Sequence, residues 1–400
     1  MSVSAQDPVP PPDAREFSMV LGGPLFQLIR KARLSDDALD LLRRRVIVIS
    51  VIAWAPLLLL SAFGQARPGA PVELTFLRDI EVHARFLLAL PLLILAELVV
   101  HQRTRRVVQQ FMDRELISAV SRNRFDRAMG SAIRLRNSVF AELTLVALVY
   151  LVGVLYLWPH FVALNVPTWY AIPTGGGRQL SPAGWWYLLV SLPAFQFILL
   201  RWYFRIFIWI RFLWQVSRCE LRLVPTHPDR VAGLGFLSAT PNAFAPLLAA
   251  HGVTLAGVIA NQIFFHGARL TDFKIEVAAV LVFLLAIVLA PLLIFVPTLS
   301  RTKRAGLQEY GSLAQRYVRQ FENKWLRGAP NGESLLGSAD IQSLADLGNS
   351  FEIVRTIRVI PVTRDALVQL TVITVLPIAP LVLTMIPLED LVRRLLQVVI

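Results

Sequence analysis

Seven apolar stretches, each close to the length of a bilayer crossing, recur along this 400-residue chain and constrain it more than any motif does. A helix needs about 20 mostly apolar residues to cross hydrocarbon. The stretches are Val46–Phe63, Phe86–His101, Val139–Trp158, Trp185–Leu200, Asn242–Phe265, Ile275–Leu299 and Ala366–Ile386. Pro91, Pro193, Pro291 and Pro377 fall inside them. Crossing helices tolerate such prolines, because neighbours re-satisfy the freed carbonyls. Composition agrees. Hydrophobic residues make up 55% of the chain and charged residues 17%, against about 25% charged in ordinary globular domains. A disordered chain and a disulfide scaffold are both excluded, the latter because Cys219 is the single cysteine. The expected fold class is all-α: a polytopic helical membrane protein with seven transmembrane helices and a cytoplasmic helical subdomain.

Basic residues set the expected orientation. Residues up to Arg45 and the connections 102–138, 201–241 and 301–365 hold 32 of the 40 lysines and arginines. The opposite loops and the tail after residue 386 hold seven, and Arg85 sits at a border. Lysine and arginine accumulate on the cytoplasmic side of membrane proteins, which puts the N-terminus inside and the C-terminus outside. Trp158, Trp169, Tyr170, Trp185, Trp186 and Tyr187 bracket one outer loop, where amphipathic rings favour the headgroup level. The formal balance of +13 then reads as contact with the lipid bilayer and its anionic headgroups on the cytoplasmic side, not with nucleic acid. The run Trp202–Trp214, interleaved with Arg205 and Arg211, has the composition of a single-strand binder. Beside a bilayer it reads as an interfacial helix with snorkelling arginines.

The expected organisation follows. Residues 1–44 form a cytoplasmic tail, with a polar, proline-rich, disordered start at 1–16 and an apolar Phe17–Leu28 lying at the interface. Residues 45–299 hold six spans with cytoplasmic helical loops at 102–138 and 201–241. Residues 300–365 form cytoplasmic amphipathic helices, one continuing the sixth span over 302–327 and one from Asp340 to Ile360, capped by Ser338 or Asp340. These helices pack with 102–138 into a small bundle or pair with a second copy or another protein. Residues 366–400 hold the seventh span and an amphipathic helix, Leu388–Val399, on the outer surface. Its Glu389/Arg393 and Asp390/Arg394 pairs have i,i+4 spacing.

Ionisable groups inside spans are costly and are therefore the first functional candidates. Glu97 sits about one turn inside the second span, with His101 on the same face. Glu142 sits about one turn inside the third, which runs the opposite way, so the two carboxylates share a depth. Arg201 and Arg205 end the fourth span at a similar level. This group is either an ion or proton site, with one carboxyl pushed up by the other, or a Glu–Arg clamp closing three helix ends. Gln196, His251, Asn261 and Gln262 form a second candidate, a polar path through the fourth and fifth spans. Interhelical hydrogen bonding explains them equally. His227, Asp229 and Arg230 form a third candidate, in a segment that reads either as a metal or proton site or as a re-entry turn ahead of Gly233 and Gly235. A single His and Asp make an incomplete metal shell, and a GxG without a preceding strand is a weak phosphate signal. The outer histidines His83 and His160 are unsupported by neighbours. Cys219 lies among Arg218, Glu220 and Arg222, a setting that lowers a thiol pKa unless the residue is simply packed. No catalytic motif, metal set or cofactor signature is present, so no enzyme activity is expected.

Pro225–Arg230 with Gly233–Leu237, Asp340–Leu347 with Asn349–Phe351, and Leu376–Pro380 with Met385–Glu389 together resemble uncharacterised multi-pass inner-membrane proteins of Gram-negative bacteria. The resemblance covers residues 45–400. It implies a bacterial inner-membrane location and brings no activity, substrate, cofactor or site residue with it. Three functions stay open: a non-catalytic scaffold or accessory subunit, a transporter or channel with a site near Glu97 and Glu142, and a lipid-directed enzyme using His227 and Asp229.

Overall fold

The computed structural model describes residues 17–24, 27, 42–64, 74–162, 168–174, 177–328, 334–335 and 337–385. The calls on residues 1–16, on Leu388–Val399 and on the His160 side chain lie outside the described residues. Among the described residues, ten longer helical segments carry the fold. They are α1 (Leu42–Gly64), α2 (Ile80–Asp113), α3 (Arg122–Arg136), α4 (Val139–Val162), α5 (Pro182–Ser217), α6 (Ala245–His266), α7 (Lys274–Leu293), α8 (Val296–Phe321), α9 (Ala339–Arg355) and α10 (Arg364–Val375, continued as a tighter helix over Leu376–Met385). Among the described residues, six helices are long and apolar enough to cross a membrane, or seven if the bent pair formed by α3 and α4 is counted. The one sheet among the described residues is an antiparallel hairpin, β1 (Ala171–Thr174) and β2 (Gly177–Leu180), which the sequence reading did not anticipate.

Caps fix where the helices begin. The side chains of Asp79, Ser138, Ser181, Ser338 and Thr363 each accept a hydrogen bond from a first-turn N–H, at α2, α4, α5, α9 and α10. These interactions satisfy amides that have no partner within the helix. The α9 cap is therefore Ser338, and α9 stops at Arg355 rather than Ile360. Gly267 ends α6 in the left-handed region, at φ 68°, where a residue without Cβ is favoured.

The main core cluster runs along α2 and α5, from Phe86 and Phe195 to Phe111, Trp209 and Phe212, and a smaller one joins Ile259 and Ala260 of α6 to Ile378 and Leu381 of α10. The exterior of the long helices is apolar too. Leu59 on α1, Ile275 and Val282 on α7 and Val368 on α10 are all exposed. α6 crosses α10 where Gly252 faces the chain. A Cβ at Gly252 would land on the carbonyl oxygen of Thr374.

Several boundaries differ from the sequence reading. Residues 102–138 are not one helix. The chain turns after Asp113, with Glu115 at φ 51°, and Ile117 bridges Leu221 before α3 starts. Residues 201–217, expected as part of a cytoplasmic loop and as an interfacial helix, continue α5. Trp202, Trp209 and Phe212 are buried there, Trp202 donating to Leu93 O of α2 and Phe212 lying against Phe125 of α3. The sixth span ends at Leu293, and α8 restarts at Val296 beside Pro297. α3 lies along α5 while α8 lies along α9, so the expected common bundle of 102–138 with 300–365 is not what the helices build. Phe17–Val20, expected at an interface, are 1–3% exposed and sit inside the fold.

The close α6–α10 crossing yields a prediction. Gly252→Leu overpacks it and costs about 1–3 kcal/mol, measured as a lowered melting temperature of the purified protein. Leucine at exposed Gly348 of α9, where nothing lies within 4 Å, does not lower it and raises it slightly through the gain in helix propensity.

Candidate functional site

The start of α1, the middle of α2, the end of α3, the first turn of α4 and the interior of α5 enclose a knot of ionisable side chains. Glu97 is 6% exposed. One of its oxygens accepts from Arg205 Nη2 at 2.8 Å, and the other pairs with Arg45 Nη2. Both arginines are buried. Arg205 also lies over the Trp202 ring, 4.7 Å from its centroid. Glu142, on the first turn of α4, pairs with Arg201 at 3.2 Å. The two ion pairs adjoin, because Arg201 and Arg205 are one turn apart on α5.

A strap formed by residues 17–24 closes the knot from one side. Phe17 stacks on Phe212 at 5.1 Å. Ser18 O accepts from Arg136 Nη1 at 2.6 Å, and Gly22 O accepts from Arg201 Nη2 at 3.4 Å. Ser18 Oγ lies 2.8 Å from His101 Nδ1. Gly22 and Gly23 take φ of 134° and 93°, which only glycine adopts readily. A Cβ on Gly22 would strike the Arg136 guanidinium, and one on Gly23 would lie 3.0 Å from Glu142 Oε1. The structure thus brings together all five residues of the first candidate group, Glu97, His101, Glu142, Arg201 and Arg205. It adds Arg45, Arg136 and the strap. Sequence reasoning had assigned Arg45 to the basic flank of α1 and Arg136 to a loop.

The candidate path is dispersed. His251 Nδ1 lies 2.8 Å from Leu247 O within its own helix, and its Nε2 lies 2.6 Å from the Tyr203 hydroxyl. The cavity beside it, about 230 Å³, is lined by Leu93, Phe195, Leu199, Leu255, Val258 and Val280 and is otherwise nearly apolar. Gln196 lies against Gly153 of α4. Asn261 reaches the far end, where its amide donates to Asp79 Oδ1 at 2.9 Å and its carbonyl accepts from Ile80 N at 3.0 Å. Gln262 is only partly buried. Asn261 therefore belongs to a second knot that sequence reasoning missed. Trp169 Nε1 donates to Asp79 Oδ2 at 2.9 Å, Arg85 donates to the Tyr187 hydroxyl at 2.6 Å, and Arg85 also pairs with Glu81. His83 accepts from Trp54 Nε1 at 2.9 Å in the same region, so it has neighbours after all. Asp79 and Glu97 are eighteen positions apart on one helix, about 27 Å at the helical rise.

The His227–Arg230 segment is organised by Asp229. Its carboxylate accepts from the N–H groups of Val231, Gly233 and Gly235 at 2.8, 3.2 and 2.8 Å. Arg230 and Ala232 stand at φ 56° and 55°. His227 Nδ1 lies 3.0 Å from Asp229 Oδ1, and Arg230 O accepts from Arg358 N at 2.8 Å. The segment thereby ties the entry to α6 to the strand of chain between α9 and α10. Burial works to raise the Asp229 carboxyl, but the three amide hydrogen bonds and His227 outweigh it and hold its pKa below the usual value. Cys219 is buried, and burial raises its thiol against the pull of Arg124. Among the described residues, no group of three His, Cys, Asp or Glu side chains is placed to hold a metal ion.

Two predictions follow from these geometries. Glu97→Gln leaves Arg45 and Arg205 buried without their carboxylate and costs about 3–5 kcal/mol, seen as a large fall in melting temperature. Asp229, with its folded pKa depressed, contributes stability that is full at neutral pH. That contribution is lost as pH falls below about 4, the unfolded value, toward the lower folded one. Asp229→Asn lowers the melting temperature at pH 7 and flattens its decline between pH 5 and pH 3. No protein-family model, curated protein or solved structure matches the chain.

Proposed function

We propose that the chain is a multi-pass protein of the bacterial inner membrane acting as a non-catalytic scaffold or accessory subunit. Its arginine-rich end, with the strap, faces the cytoplasm, and the end after α10 faces the periplasm. The apolar exterior of α1, α7 and α10 supports the membrane reading, because soluble monomers rarely expose contiguous apolar patches above a few hundred Å². Counting α4 as a crossing gives seven, which alternates with the arginine distribution.

The observation that carries the scaffold reading is the pairing of Glu97 with Arg45 and Arg205. A carboxylate whose two oxygens are each taken by a buried guanidinium group offers no free oxygen to a passing ion. Glu142 is likewise engaged by Arg201. Between this knot and the Asp79 knot, the cavity beside His251 is lined almost wholly by apolar side chains, which supplies no polar route.

Reconstitution tests the proposal. Proteoliposomes carrying the protein should show no proton or monovalent-cation flux above protein-free vesicles, and alkaline carbonate should leave the protein in the membrane pellet. A flux abolished by Glu142→Gln in folded protein would establish transport instead. Release by carbonate would remove the membrane reading.

A further inference from the structure

The knot holds more positive than negative charge. Among the described residues, Arg45, Arg136, Arg201 and Arg205 converge on the carboxylates of Glu97 and Glu142. Glu97 serves Arg45 and Arg205, and Glu142 serves Arg201. Among the described residues, the hydrogen-bond partners of Arg136 are neutral, Ser18 O at 2.6 Å and Asn137 Oδ1 at 3.0 Å, and buried Arg45 Nε has no hydrogen-bond acceptor. A partly desolvated excess of positive charge attracts an anion far more strongly than the same charge in water.

The approach to this charge has a definite shape. Arg136, Glu142, Arg201, Phe204, Arg205 and Ile208 line a hollow of about 10 Å³. That is room for about one water-sized oxygen, so an anion enters by one oxygen and keeps its bulk outside. The bulk then meets apolar surface. Phe204 stacks on Phe207 at 6.4 Å, and Phe207 is half exposed. Phe140 and Leu143, flanking Glu142 on α4, are 80% and 62% exposed. A free inorganic anion gains nothing from that surface, whereas an anion attached to hydrocarbon does. A guanidinium fork suits phosphate geometry.

We infer that Arg136, with Arg201 behind it, binds the phosphate group of an anionic phospholipid whose acyl chain runs along Phe140 and Leu143 of α4. The inference rests on the membrane reading above and names the lipid class that the knot recruits. It also gives the strap a second role, since Ser18 O holds Arg136 at the rim.

Native mass spectrometry of the full-length protein in maltoside micelles, titrated with phosphatidic acid, phosphatidylcholine or inorganic phosphate, tests it. Phosphatidic acid should be retained over phosphatidylcholine. Arg136→Gln should weaken that retention about tenfold, the worth of one lost charge-assisted hydrogen bond. Arg136→Lys should fall between, keeping the charge without the fork, and it carries the test if the glutamine variant elutes as misfolded protein. Arg134→Gln, on the same helix and exposed, should change nothing. Displacement of the lipid by inorganic phosphate at equal concentration would overturn the lipid assignment, because it would show that the acyl chain contributes nothing. Equal retention of both lipids, or retention unaffected by both Arg136 variants, overturns the inference. Because the assay runs in micelles, such a failure counts against the site alone, while carbonate extraction reports separately on the membrane reading.

Discussion

The ionised carboxylate of Glu97 is the constraint around which the arginine-rich half of the molecule is arranged. An unpaired carboxylate at 6% exposure would carry a penalty of several kcal/mol. Two guanidinium groups from two other helices offset it. α1, α2 and α5 are thereby fixed in register at this level, since Arg45, Glu97 and Arg205 cannot slide by a turn without leaving a buried charge alone. The Glu142–Arg201 pair adds α4 to the same level. The strap then supplies backbone carbonyls to the arginines that the carboxylates do not saturate.

Polar chemistry is concentrated at two levels on α2, with mostly hydrocarbon between them. At one end Asp79 gathers Asn261, Trp169 and its own first-turn amide. At the middle of the helix, Glu97 gathers arginines. Helices with apolar exteriors gain little from burying hydrocarbon against hydrocarbon when their surroundings are hydrocarbon too. Polar contacts at both levels, and close crossings such as Gly252 against Thr374, then specify which helices adjoin.

Much of this arrangement was legible in the sequence, and the limits of that legibility have physical reasons. Long apolar runs announce helices because no other element spans 20 such residues. Glu97, Glu142, Arg201 and Arg205 could be placed at one level because alternating helices share a depth scale. Arg45 and Arg136 carried no such signal. Arginines at the edge of a span are ordinary topological markers, and nothing local distinguishes the one that turns inward. The strap was missed because Gly22, Gly23 and Pro24 mark a turn without saying what the turn packs against. Asp79 was missed for the same reason: its partners Trp169 and Asn261 lie 90 and 182 positions away. The break after Asp113 depends on the pairing of Ile117 with Leu221, which periodicity does not encode.

A double-mutant cycle between Glu97 and Arg205, read by thermal unfolding of the purified protein, tests the central claim most directly. If the carboxylate is architectural, Glu97→Gln and Arg205→Gln each destabilise, and the double variant is more stable than their sum by about 1–3 kcal/mol. Strictly additive losses, or a Glu97→Gln variant as stable as the parent, would contradict the account.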